Sequence, residues 1–126
     1  MTGEDKRVAY AQLERGIRAI DKTLDVLDTM LLRFDTEQHR KAIFESMAEL
    51  NKRRRMLDSY VAGFGRSEVS VLPPQKFDYM ALDQAVRLIE AVTHAPNDIR
   101  TGLHLATTIS DALHTTWANI NHRSSM

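Results

Sequence analysis

Tyr10, Leu13, Ile17, Ile20, Leu24, Leu27, Leu31 and Phe34 recur at alternating steps of three and four residues. This spacing puts apolar side chains on one narrow stripe of an α-helix, the seam along which a long helix is buried against a partner helix. A helix from Glu4 to Phe34 would be about 45 Å long at 1.5 Å per residue. A compact chain of this length has a radius of gyration of about 14 Å, so such a helix overreaches any spherical core. The expected fold is an elongated all-α assembly of paired helices.

Capping chemistry at Asp35, Thr36 and Gln38 separates this helix from a second seam, formed by Ile43, Met47, Leu50, Arg54, Leu57, Val61 and Phe64. Asp35 or Thr36 can accept from the free N–H groups that open a helix. So short a connection between two long seams predicts an antiparallel hairpin over residues 4–64, closed by Gly63 and Gly65. Residues 65–77 read as a linker because Pro73 and Pro74 forbid helix there. A third helix is expected from Asp78 to Ala95. Leu82, Ala85, Ile89 and Val92 lie on its apolar face, with Met80, Val86 and Leu88 widening it, and Pro96 ends it. Asn97 or Asp98 caps a fourth helix carrying Ile99, Leu103, Ala106, Ser110, Leu113, Trp117 and Ile120, so that a second hairpin spans 78–121 and a frayed tail 122–126. The expectation is a single domain, two antiparallel hairpins forming a four-helix, coiled-coil-like bundle. The first hairpin is longer than the second, which leaves part of its seam for a second subunit to cover.

The charges on the seams are patterned. Glu14, Asp21, Asp28 and Asp35 form an acidic row beside the apolar stripe of the first helix, and the positions facing it in the second helix are Phe44, Asn51 and Asp58. The row is either a solvated face or a place to which another helix brings cations. Arg54 falls on the seam itself, opposite Ile17, with Glu14 and Asp21 a turn to either side. It can fix helix register or simply cover apolar surface with its stem. The run Lys52-Arg53-Arg54-Arg55 turns through about 300° of a helix, at 100° per residue, so it cannot present one face to a phosphate backbone. Lys plus Arg equals Asp plus Glu at 17 each, so no wider field favours nucleic acid.

No residue pattern points to catalysis. Asp111 with His114 and Glu90 with His94 have helical spacing, but the additional inward Glu residues of a bundle metal site are missing. The remaining His residues suit helix ends or solvent. Gly63-Phe64-Gly65-Arg66-Ser67 could form a small anion nest, although helix termination accounts for its glycines. Neither a nucleophile elbow nor a phosphate-binding loop occurs. The absence of Cys fits the cytoplasm, no signal peptide is expected, and no apolar run approaches a membrane span. The expected function is that of a non-enzymatic, cofactor-free helical interaction or adaptor protein. It would form a homodimer, present helical surfaces to a protein partner, and bind neither nucleic acid nor membrane. The alternative is a transcriptional or post-transcriptional regulator using the Lys52–Arg55 run, in which dimerisation pairs two basic patches.

Overall fold

A computed structural model describes residues 3–65, 79–92, 94 and 96–125, with the side chains of most of them. The linker with its two prolines lies outside the described residues, as do the side chains of Val61, Phe64 and Trp117. The chain forms α1 (Gly3–Arg33), α2 (Glu37–Gly65), α3 (Met80–Glu90) and α4 (Ile99–Ser125), and the described residues contain no strand. The helices pack on one another as a bundle in which α1 touches each of the other three.

Local chemistry accounts for where the helices start and stop. Thr36 caps α2: the His39 backbone N–H donates to its Oγ1 at 3.2 Å, satisfying one of the donors a helix start leaves open. Asp98 does the same for α4, its Oδ1 accepting from the Arg100 backbone N–H at 2.9 Å. The third helix is shorter than the expected 78–95. It ends at Glu90, where the Ala91 N–H bonds the Arg87 carbonyl four residues back and the Val92 N–H bonds the Ile89 carbonyl three residues back, both at 3.1 Å. One of its last carbonyls, that of Glu90, accepts from Lys22 Nζ of α1 at 3.4 Å, a side-chain cap at the negative end of the helix dipole. The fourth helix runs the other way in length: it continues to Ser125, so 122–125 is helical where a frayed tail was expected.

The core draws on every helix. Leu13, Ile20 and Leu27 of α1 are fully buried against Ile43, Leu50 and Leu57 of α2, Leu82 and Ile89 of α3, and Ile109 and Leu113 of α4. The buried face of α1 is turned relative to the seam read from its apolar residues. Ile17, Leu24, Leu31 and Phe34 are only partly buried, and Tyr10 is 41% exposed. Gly16, Ala19, Thr23 and Met30, on the other flank of the Leu13–Leu27 row, are buried instead. That flank receives α3 and α4. Small residues there let the helices approach closely, and Thr23 spends its hydroxyl on the Ala19 carbonyl at 2.7 Å, which removes the cost of burying it. Met80 and Leu88 do not widen the buried face of α3: both are exposed.

Gly16 marks a close approach of α1 to α2 and α4, as Gly102 of α4 does against Met30 of α1. A Cβ at Gly16 would lie 2.9 Å from Leu113 Cδ2 and 3.2 Å from Leu57 Cδ1, and both leucines are fully buried with nowhere to retreat. Gly16→Val is therefore expected to destabilise the fold by about 1–3 kcal/mol through overpacking, read as a lower midpoint in thermal unfolding followed by circular dichroism.

Candidate functional site

The surface most open to interaction is the outer face of α1 and α2, the side that neither α3 nor α4 covers. Its floor is the half-buried row Ile17, Leu24 and Leu31 with Met47 and Arg54. Leu32 stands 87% exposed and Phe44 49% exposed on the same face. The Arg40 guanidinium lies over the Phe44 ring, 5.7 Å from its centroid, and Arg40 also donates to the Leu31 carbonyl at 3.5 Å. Phe34 meets the His39 ring edge-on at 5.8 Å. These contacts stiffen the turn between the helices and hold Phe44 outward. Asp35, Glu37, Arg40, Lys41, Phe44 and Glu45 line one shallow depression there, so it carries both signs of charge.

The acidic row of α1 is treated unequally. Asp21 pairs with Arg54, which also reaches Asp58 at 3.8 Å. Among the described residues, Glu14, Asp28 and Asp35 make no ion pair. Arg54 keeps 36% of its side chain exposed, so it lies along the groove with its stem on apolar surface and its head among carboxylates.

Its neighbour Arg53 is the more deeply placed of the two, a distinction the spacing did not reveal. With a side chain 19% exposed, it reaches Glu49 at 3.4 Å and donates Nε–H to the Ser110 hydroxyl of α4 at 3.3 Å. Ser110 is itself buried, so this bond supplies a partner for a polar atom between α2 and α4. Lys52 and Arg55 are exposed and make no ion pair among the described residues. The basic run is thus split, with two members tied into the bundle and two facing solvent.

The opposite edge of α1 is basic, and three of its cations bond neighbouring elements. Arg15 pairs with Asp83 of α3, Lys22 caps α3, and Arg33 donates to Asn97 Oδ1 at 2.6 Å and to the Pro96 carbonyl at 3.3 Å. Glu90, His94, Asp111 and His114, the helical carboxylate–imidazole pairs, are all exposed. No group of three or more His, Asp or Glu residues able to hold a metal ion occurs among the described residues. Nor is any described helix long and apolar enough to cross a membrane. The Gly63–Ser67 nest and the seam residues Val61, Phe64 and Trp117 cannot be placed in this geometry, since their side chains lie outside the described residues. No protein-family model, curated protein or solved structure matches the chain.

The split of the basic run has a measurable consequence. Arg53→Leu should cost about 1–2 kcal/mol by leaving the buried Ser110 hydroxyl without its donor. Arg54→Leu should change stability by less than about 1 kcal/mol, because the pairs it breaks are solvent-screened. Lys52→Ala and Arg55→Ala should stay within about 0.5 kcal/mol of the parent. Urea unfolding midpoints of the four variants would establish the order.

Proposed function

We propose that this chain is a non-enzymatic helical interaction protein that forms a homodimer and presents further helical surface to a protein partner. The observation that carries this reading is the exposure of large apolar side chains on two separate faces. Leu32 and Phe44 stand on the outer face of α1 and α2, above a row that is itself only half-buried, while Met80 and Leu88 stand on the outward side of α3. Grouped apolar exposure of this kind, bordered by charge, is the ordinary signature of a protein-binding surface. The first face serves self-association; the second is left for a different protein.

The helices of this reading form two antiparallel hairpins with coiled-coil-like packing. The order of contacts supports it: Arg40 reaches Leu31 near the turn, and Arg54 reaches Asp21 farther along both helices. Within the second pair, the short connection from Glu90 to Ile99 between helices that pack together favours the same arrangement. A cytoplasmic location accords with a chain free of Cys.

The regulator reading gains nothing from the split basic run. Arg53 and Arg54 are engaged within the bundle, and the exposed pair Lys52 and Arg55 has acidic Asp58 on the same helix and the α1 acidic row across the groove. A duplex would meet both signs of charge. Sedimentation equilibrium at about 50 µM protomer should return a dimer mass; a monomer would refute self-association. Mobility-shift assays with random duplex DNA and with RNA at about 50 mM salt should show no complex below about 100 µM protein. Micromolar retention lost in Lys52→Glu/Arg55→Glu would instead establish the regulator.

A further inference from the structure

We propose that α3 is a releasable lid, seated in a groove between α1 and α4 that a partner protein fills with a short acidic amphipathic helix of its own. This goes beyond the function proposed above, which concerns surfaces already exposed. The groove does not depend on α3 for its walls. α1, α2 and α4 each pack on the other two, whereas α3 packs on α1 and α4 and scarcely meets α2. Leu57 of α2 and Leu113 of α4 close on Gly16 of α1, and Met30 of α1 fills the space beside Gly102 of α4. Neither contact draws on α3, so α1 and α4 are braced against each other at two heights without it.

α3 lies in the groove as a bound helix would. Its buried residues Leu82, Ala85, Val86 and Ile89 have the i, i+3, i+4, i+7 spacing of the anchors in helix-in-groove recognition. Along its α1 edge, Arg15 pairs with Asp83 and Lys22 donates to the Glu90 carbonyl at 3.4 Å, both across a separation of 68 residues. This constant register puts Arg18 level with Val86, and the two line one depression of about 300 Å³ with Arg15, Lys22, Ile89 and Glu90. Arg18 is exposed and forms no ion pair among the described residues. Arg87 of α3, one turn from Asp83 and from Glu90, offsets their charge along this edge. Of the cations that α1 presents, α3 therefore gives a carboxylate to Arg15, a carbonyl to Lys22 and a valine to Arg18.

When α3 leaves, Asp83 and Glu90 leave with it, and the groove keeps Arg15, Arg18 and Lys22 along one edge above the buried Ala19. The other acidic groups nearby lie outside this edge. Asp25 lines a neighbouring depression with Lys22, Arg33 and His94, Glu14 and Asp21 belong to the row beside α2, and Asp98 caps α4. Asp111, the one carboxylate in the sequence of α4, lines the α2–α4 groove with Glu45 and Glu49. The vacated groove thus selects an amphipathic helix with apolar anchors on one face and carboxylates on the edge where α3 carries Asp83, Arg87 and Glu90. Such a helix also serves Arg18, which is its advantage over α3. A ligand that binds only the open chain has its apparent affinity scaled by the open fraction. The contacts of α3 with α1 therefore set how readily the partner is taken.

The probe is a fluorescein-labelled peptide of residues 79–92 with Arg87→Glu, titrated into full-length chains and followed by fluorescence anisotropy. Asp83→Lys in the chain breaks the tie to Arg15 and leaves the groove intact. It should bind the probe at least about threefold more tightly than the parent. Ile89→Asp removes an anchor from the lid and should bind the probe at least about tenfold more tightly, with most of the parental helicity kept in circular dichroism. Arg18→Glu placed in the Asp83→Lys chain should weaken binding at least about threefold, and a probe carrying Asp83→Lys/Glu90→Lys should not bind. Absent or equal binding across the chains, indifference to Arg18→Glu, or equal binding of the two probes overturns the lid, as does general unfolding of the Ile89→Asp chain. Sedimentation equilibrium of the parent and of Asp83→Lys should agree. A dimer that strengthens with Asp83→Lys makes α3 of a second copy the occupant and overturns the foreign helix, while the self-association proposed above stands.

Discussion

α1 and α4 each pack on all three other helices, and α1 can do so because its buried surface has two unequal flanks around one row of large side chains. Leu13, Ile20 and Leu27 supply the common apolar row. On one side the half-buried Ile17, Leu24 and Leu31 meet α2. On the other, Gly16, Ala19 and Thr23 give α3 and α4 room to come close. A helix with bulky residues on both flanks would hold its neighbours farther apart and leave voids that no side chain here is long enough to fill. The Leu57–Gly16–Leu113 contact displays this dependence, since side chains from α2 and α4 converge on a residue of α1 that has none.

The buried polar groups are few, and the two threonines among them are handled locally. Thr23 and Thr116 return their hydroxyls to carbonyls one turn earlier, at 2.7 and 2.8 Å, so each is satisfied without a partner from another helix. Ser110 differs in accepting from Arg53 across the α2–α4 contact. That bond carries orientation as well as energy, because a buried acceptor facing one donor admits only one rotation of the two helices about their axes. Elsewhere the core is held by non-directional packing, which is more forgiving of rotation, and the remaining bonds between helices lie at its edges.

Much of this architecture was legible in the residues. The heptad steps marked the helices, and Thr36 and Asp98 marked two of their starts, because both signals depend on chemistry within a turn or two of chain. The direction of the core was not legible. Gly16, Ala19 and Thr23 are too small or too polar to register in an apolar pattern, yet they line a closely packed flank, while Tyr10, which does register, stays exposed. Met80 and Leu88 misled for the converse reason: apolar side chains at helical spacing show that a face could be buried, and only the neighbouring helices decide whether it is. The candidate site divided along the same line. The acidic row and the basic run stood out at once, but which members were already spoken for depended on α4 supplying Ser110 beside Arg53 and on α1 supplying Asp21 beside Arg54, and neither residue is near in sequence.

The brevity of α3 has its own consequence for dynamics. At 11 residues, it falls below the length of about 12–15 residues at which even a favourable sequence holds a helix unaided. Its order therefore comes from the bundle, through Leu82, Ala85, Val86 and Ile89 on its inner side and through Arg15 and Lys22 along its edge. Lifting it uncovers surface on both α1 and α4, the two helices it packs against. Detachment of α3 therefore removes the packing that keeps it helical. Its amide protons would exchange with solvent through partial opening, well before those of α1.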